Sequence, residues 1–86
     1  MKLKLELVKR EIAGETFLVP VGEAAKKYCG MFALNELGGF IWNLLEDVDS
    51  EEEIVRKILE EYEVSEEEAA RDVAEFTAKL REMEIL

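Results

Sequence analysis

Apolar residues at Leu3, Leu5 and Leu7 alternate with charged ones, a period of two that predicts a half-buried strand. Val8, Arg10 and Ile12 carry the alternation on in the opposite phase, which predicts a bulge or sharp twist near Leu7-Val8. Ala13-Gly14-Glu15 reads as a hairpin turn, with Gly14 free to adopt positive φ. Thr16 to Val21 is rich in β-formers and predicts the returning strand. Pro20 has no N–H, so one ladder bond is lost at its end. Glu23 to Lys27 is long enough for one helical turn, but it is short and flanked by glycines, so Gly22 to Gly30 reads as a loop. Met31 to Leu34 is a third, brief strand.

Beyond Leu34 the period changes to that of helices. Leu37, Phe40, Ile41, Leu44 and Leu45 fall at i, i+3, i+4, i+7 and i+8, one buried helical face. Asn35 stands where an N-cap is needed, because its side chain accepts from an orphan N–H. Gly38 and Gly39 each cost about 1 kcal/mol of helix propensity against Ala, and close approach of the helix start to the sheet accounts for them. Ser50 to Glu53 and Ser65 to Glu68 are capping boxes that open a second and a third helix. The second buries Ile54, Val55, Ile58, Leu59 and Tyr62, with Val64 filling the link. The third buries Ala69, Val73, Phe76, Leu80 and Met83, and Ile85 and Leu86 dock behind it. The predicted fold class is α+β: a three-stranded antiparallel meander followed by three helices, in a single domain spanning 1–86.

Composition narrows the function. A chain of 86 residues that is 49% hydrophobic supports one small core. Its net charge of −10, from 21 acids against 11 bases, opposes contact with phosphate backbones and sets nucleic acid aside as a partner. No apolar run nears the ~20 residues of a membrane span, and the Met1-Lys2-Leu3-Lys4 start leads into no signal-peptide core. These features predict a soluble cytoplasmic protein with no membrane role. The chain has no His, and Cys29 stands alone, so neither a disulfide nor a Cys-rich metal site is expected. The acid runs Glu51-Glu52-Glu53 and Glu66-Glu67-Glu68 are explained by the helix dipole as first turns. No catalytic residue, metal or cofactor is predicted.

What remains is a surface. Met31, Phe32, Ala33 and Leu34 form the last strand of the meander and carry neither charge nor Pro, so the sheet edge they make is unguarded. At about 100° per residue, Ala70, Ala74, Thr77 and Ala78 fall on one flank of the third helix, bordered by Arg71 and Arg81. Such small residues either admit a neighbouring helix closely or form a shallow groove wall. An open edge beside that wall suits strand addition by a peptide. The same edge can pair with a second copy, which predicts a weak homodimer that peptide would dissociate.

Val19-Pro20-Val21-Gly22-Glu23-Ala24-Ala25-Lys26, then Leu34-Asn35-Glu36 with Gly38, Phe40-Ile41-Trp42 and Leu44-Leu45, then Ala69, Ala70, Asp72, Val73 and Phe76 resemble the PqqD family in order and spacing. Leu37 departs from relatives that often carry Thr or Ser after Asn-Glu. The resemblance implies a winged helix-turn-helix-like fold without catalysis. It implies binding of the leader of a ribosomally made precursor peptide as an added strand, and its presentation to a modifying enzyme, commonly a radical SAM protein. Carried onto this chain, it assigns Met31, Phe32, Ala33 and Leu34 as the pairing edge. It assigns Ala70, Ala74, Thr77 and Arg81 as the helical wall, with Arg71 on the rim. The competing reading is a winged-helix DNA-binding regulator, which needs a basic recognition helix. The third helix instead carries Glu66, Glu67, Glu68, Asp72, Glu75, Glu82 and Glu84.

Overall fold

The computed structural model describes residues 1–86. Strands β1 (Leu7–Ile12) and β2 (Glu15–Pro20) form an antiparallel hairpin, and β3 (Phe32–Leu34) pairs antiparallel with β2, giving the sheet order β1-β2-β3. Helix α1 (Glu23–Lys27) lies between β2 and β3 in the chain. Helices α2 (Glu36–Leu44), α3 (Glu51–Glu61) and α4 (Glu66–Glu82) follow β3, with a single 3₁₀ turn at Leu45–Asp47. The architecture is the predicted α+β meander followed by three helices, with one short helix added.

That added helix corrects the loop expected between Gly22 and Gly30. Gly22 starts it at φ 59 and supplies no side-chain cap. Burial stabilises the turn instead, because Ala24 is wholly enclosed and its carbonyl accepts from the Tyr28 N–H at 2.9 Å.

The amino-terminal alternation also has a different cause from the one expected. The β1–β2 register runs without a break from Leu7↔Pro20 to Ile12↔Glu15, so there is no bulge at Leu7-Val8. Leu3 and Leu5 precede the strand and pack half-buried on the core. The Lys4 N–H between them donates to the Ile85 carbonyl at 2.7 Å. The phase changes because Leu7 lies on the sheet face of Leu18, whereas Val8 and Ile12 lie on the opposite face of the same unbroken ladder. The hairpin itself turns through two residues, Ala13 at φ 52 and Gly14 at φ 82, the pair of positive angles that matches a type I′ turn to strand twist.

Register decides which side chains meet the helices. Leu18 pairs with Phe32 and Thr16 with Leu34, so these four share one sheet face, and Leu18 is buried there. The helices close over that face with Ile41, Ile54, Ile58, Val73 and Leu80, joined by Leu45 of the 3₁₀ turn and Ile85 after α4, all buried in one cluster. Their starts are set by side chains. Asn35 Oδ1 accepts from the Gly38 N–H at 2.7 Å, Ser50 Oγ from Glu53 at 3.3 Å and Ser65 Oγ from Glu68 at 3.1 Å. The returning bond of the first box goes to Asp49, whose N–H donates to Glu53 Oε1 at 3.3 Å. Several core assignments change. Leu59 is 38% exposed, and Phe76 and Met83 are only half-buried because they border an open groove. No helix is long and apolar enough to cross a membrane.

Candidate functional site

β3 has a neighbour on one side only, and its other edge, unpaired within the sheet, faces α4 across a groove of about 620 Å³. Two elements meet there because α2 starts with so little bulk. A Cβ on Gly38 would stand 3.5 Å from the Leu34 side chain of β3 and 3.4 Å from the Phe76 ring of α4. Leu18, Phe32 and Leu34 line the sheet side of the groove, and Phe76, Leu80 and Met83 line the helix side. Beyond Phe76 a second hollow of about 440 Å³ adjoins it, bordered by Asn35, Gly38, Asp72 and Glu75. Phe76 and Lys79 border both.

The far end of the groove is closed by the residue after α1. Tyr28 follows that helix, and its ring meets Phe32 edge to face at 5.4 Å. Its hydroxyl donates to the Met83 carbonyl. Next to it, Lys27 Nζ pairs with Glu84 Oε1 at 2.6 Å. The hydrogen bond from Lys27 holds the Glu84 carboxyl below its ordinary range, and the same bond raises the Lys27 ammonium. These contacts tie the segment before β3 to the residues that follow α4.

The strand residues expected at the edge are all present there. Met31, 49% exposed, Phe32, Ala33 and Leu34 border the groove. The helical residues expected opposite them are not brought to the same place, and the correction has three physical reasons. Thr77 is wholly buried, and its hydroxyl is satisfied within its own helix by the Val73 carbonyl at 3.0 Å and that of Ala74 at 3.3 Å. Ala70 borders a hollow between α3 and α4 with Val55, Arg56 and Leu59. Arg81 pairs with Glu51 of α3 at 3.2 Å. With about 100° of rotation per residue, Ala74 shares that α3-facing flank and is exposed. Arg71 is exposed and borders neither hollow beside β3.

The flank that does face β3 carries Asp72, Phe76, Lys79 and Met83, spaced i, i+4, i+7 and i+11. That row was present in the sequence as the other border of the apolar stripe. Tyr28 had no comparable signal, because its position depends on a helix of five residues.

The groove therefore offers main-chain donors and acceptors along β3 and an apolar wall along α4. The family model for Coenzyme PQQ synthesis protein D (PqqD) matches residues 15–86. The chain belongs to the PqqD family. Among solved structures, this PqqD-family chain is similar to TbiB1 in complex with the TbiA(β) leader peptide. The likeness covers 100% of this chain and 94% of that one, with 32% identity and a TM-score of 0.75. It shares its fold with a lasso peptide synthetase B1 complexed with the leader peptide, over 98% of this chain and 93% of that one, with 23% identity and a TM-score of 0.73. No functionally curated protein matches it.

Proposed function

We propose that this PqqD-family chain binds the leader region of a ribosomally synthesised precursor peptide by strand addition to β3. In this reading residues 1–86 act as one peptide-recognition unit, cytoplasmic and without catalysis of its own, that presents the peptide to a modifying enzyme. The observation that carries it is the open β3 edge facing the Phe76–Met83 wall. Strand addition needs such a pair, because ladder bonds give affinity and pockets take alternate side chains. The family and the TbiB1 leader-peptide complex support the same reading.

A radical SAM protein is the modifying enzyme that family resemblance favours. Without peptide, the free β3 edge pairs weakly with a second copy. A peptide of some ten residues buries a small interface and loses its own disorder, so affinity falls on the order of micromolar, about −8 kcal/mol. The test is calorimetry with a precursor peptide sought among the neighbouring genes. Binding by its leader half and none by its core half supports the reading. A leader that fails to bind the folded chain at a hundred times that concentration removes it.

A further inference from the structure

The groove is not uniform along its length, and the difference bears on which peptide it takes. The Met83 end is apolar, lined by Leu18, Phe32, Leu80 and Ile85 and closed by Tyr28. The other end, beside Asn35 and Gly38, is bordered by the carboxylates of Asp72 and Glu75. Along the whole groove three carboxylates, Asp72, Glu75 and Glu82, stand against one cation, Lys79. Neither Asp72 nor Glu75 takes part in an ion pair, whereas Lys26, Lys27 and Arg81 are each paired with a glutamate outside the groove. The chain's net charge of −10 adds a background of the same sign.

Resting on the strand-addition reading, we infer that the groove selects a peptide with a bulky apolar residue at the Met83 end and a Lys or Arg about four residues away, beside Asp72 and Glu75. The spacing follows from two rises. Glu75 to Met83 is eight helical residues, about 12 Å of axis. An added strand covers that distance in about four residues. Four is an even number, so both side chains leave the strand on the same face, toward α4. In an antiparallel ladder with β3, the more stable pairing per residue, the cationic residue precedes the apolar one.

The apolar end gives the peptide its affinity, and the carboxylates discriminate by charge. A peptide placing Glu where the Lys belongs puts like charges together at a partly desolvated rim.

The test uses a displayed library of random twelve-residue peptides, selected on the full chain at low salt. Enrichment of a bulky apolar residue with Lys or Arg about four positions before it is the expected result. A selected peptide and its Lys→Glu form are then titrated against the wild-type chain and against Asp72→Lys/Glu75→Lys. The double reversal should weaken the Lys peptide at least tenfold and restore the Glu peptide by a similar factor. The milder Asp72→Asn/Glu75→Gln, which is isosteric, should weaken the Lys peptide about fivefold. Met83→Arg, which fills the apolar end, separates the two ideas. Peptides lost with Met83→Arg but indifferent to both charge variants would overturn the charge selection and leave strand addition standing. Peptides that bind Met83→Arg as they bind wild type would overturn the placement of the groove itself. Circular dichroism on each variant confirms that it is folded, and Glu52→Lys on α3 serves as the unaffected control.

Discussion

Arg81 Nη1 stands 3.2 Å from Glu51 Oε2, an ion pair that turns one flank of α4 toward the first turn of α3 and away from β3. The pair is exposed and stabilises little in itself. Its value is as a marker of orientation, since Ala74 shares that flank and Met83 does not. The expected outcome is that Ala74→Glu leaves leader-peptide affinity within about twofold and stability within about 0.5 kcal/mol, as for other surface changes. Met83→Arg should weaken binding by a factor of ten or more, the scale of losing an interface anchor. Calorimetry on the two folded variants checks this, and the reverse ranking would place the groove on the α3 side.

Gly38 and Gly39 stand next to one another in α2 but respond to different surroundings. A Cβ on Gly38 meets Asn35 Oδ1 at 3.1 Å, the oxygen that caps the helix, with the Phe76 ring at 3.4 Å. A Cβ on Gly39 meets only Thr16 Cγ2, at an ordinary 3.7 Å. Gly39→Ala is therefore expected to gain about 0.5–1 kcal/mol of helix propensity. Gly38→Ala should gain nothing net, because disturbing the Asn35 cap costs about as much, ~1 kcal/mol. Urea unfolding of both variants measures the difference, and equal stabilisation would show that Gly38 is not held by close packing.

The Lys27–Glu84 pair predicts a pH dependence for the closed end of the groove. Glu84 titrates below its ordinary 4.5 in the folded chain because the Lys27 ammonium hydrogen-bonds it. Its contribution is present above that ordinary value and is lost as pH falls through the depressed midpoint. Lys27 titrates above its ordinary 10.5 through the same bond, so its contribution is present below 10.5 and lost as pH rises through the raised midpoint. Lys27→Met should bring the Glu84 midpoint back up toward 4.5, read from the carboxyl carbon by NMR. An unmoved midpoint would mean that the pair does not persist in solution.

Most of the fold was legible in the chain because its signals are local. Alternation marked the sheet, and Asn35, Ser50 and Ser65 each accept the capping bond their positions call for. What could not be read depended on distant partners. The Leu3–Leu5 alternation looks like strand, yet the Lys4 N–H bonds to Ile85 at the other end of the chain. Helix α1 has no capping side chain and is held by the burial of Ala24. The β3 edge was legible because an uncharged last strand is a property of sequence order. The α4 wall was not, because small residues at 70, 74 and 78 suit either a groove or a neighbouring helix. Thr77 gave no warning either, since its hydroxyl is satisfied by its own backbone and needs no water.

Amide hydrogen exchange, free and with saturating leader peptide, tests strand addition most directly. β3 has one unpaired edge in the free chain, so the outward-pointing amides within Phe32–Leu34 should exchange readily. With peptide bound, they should become protected, while α3 amides around Glu52 stay as they were. A leader that binds with micromolar affinity yet leaves exchange at Phe32–Leu34 unchanged would contradict the account.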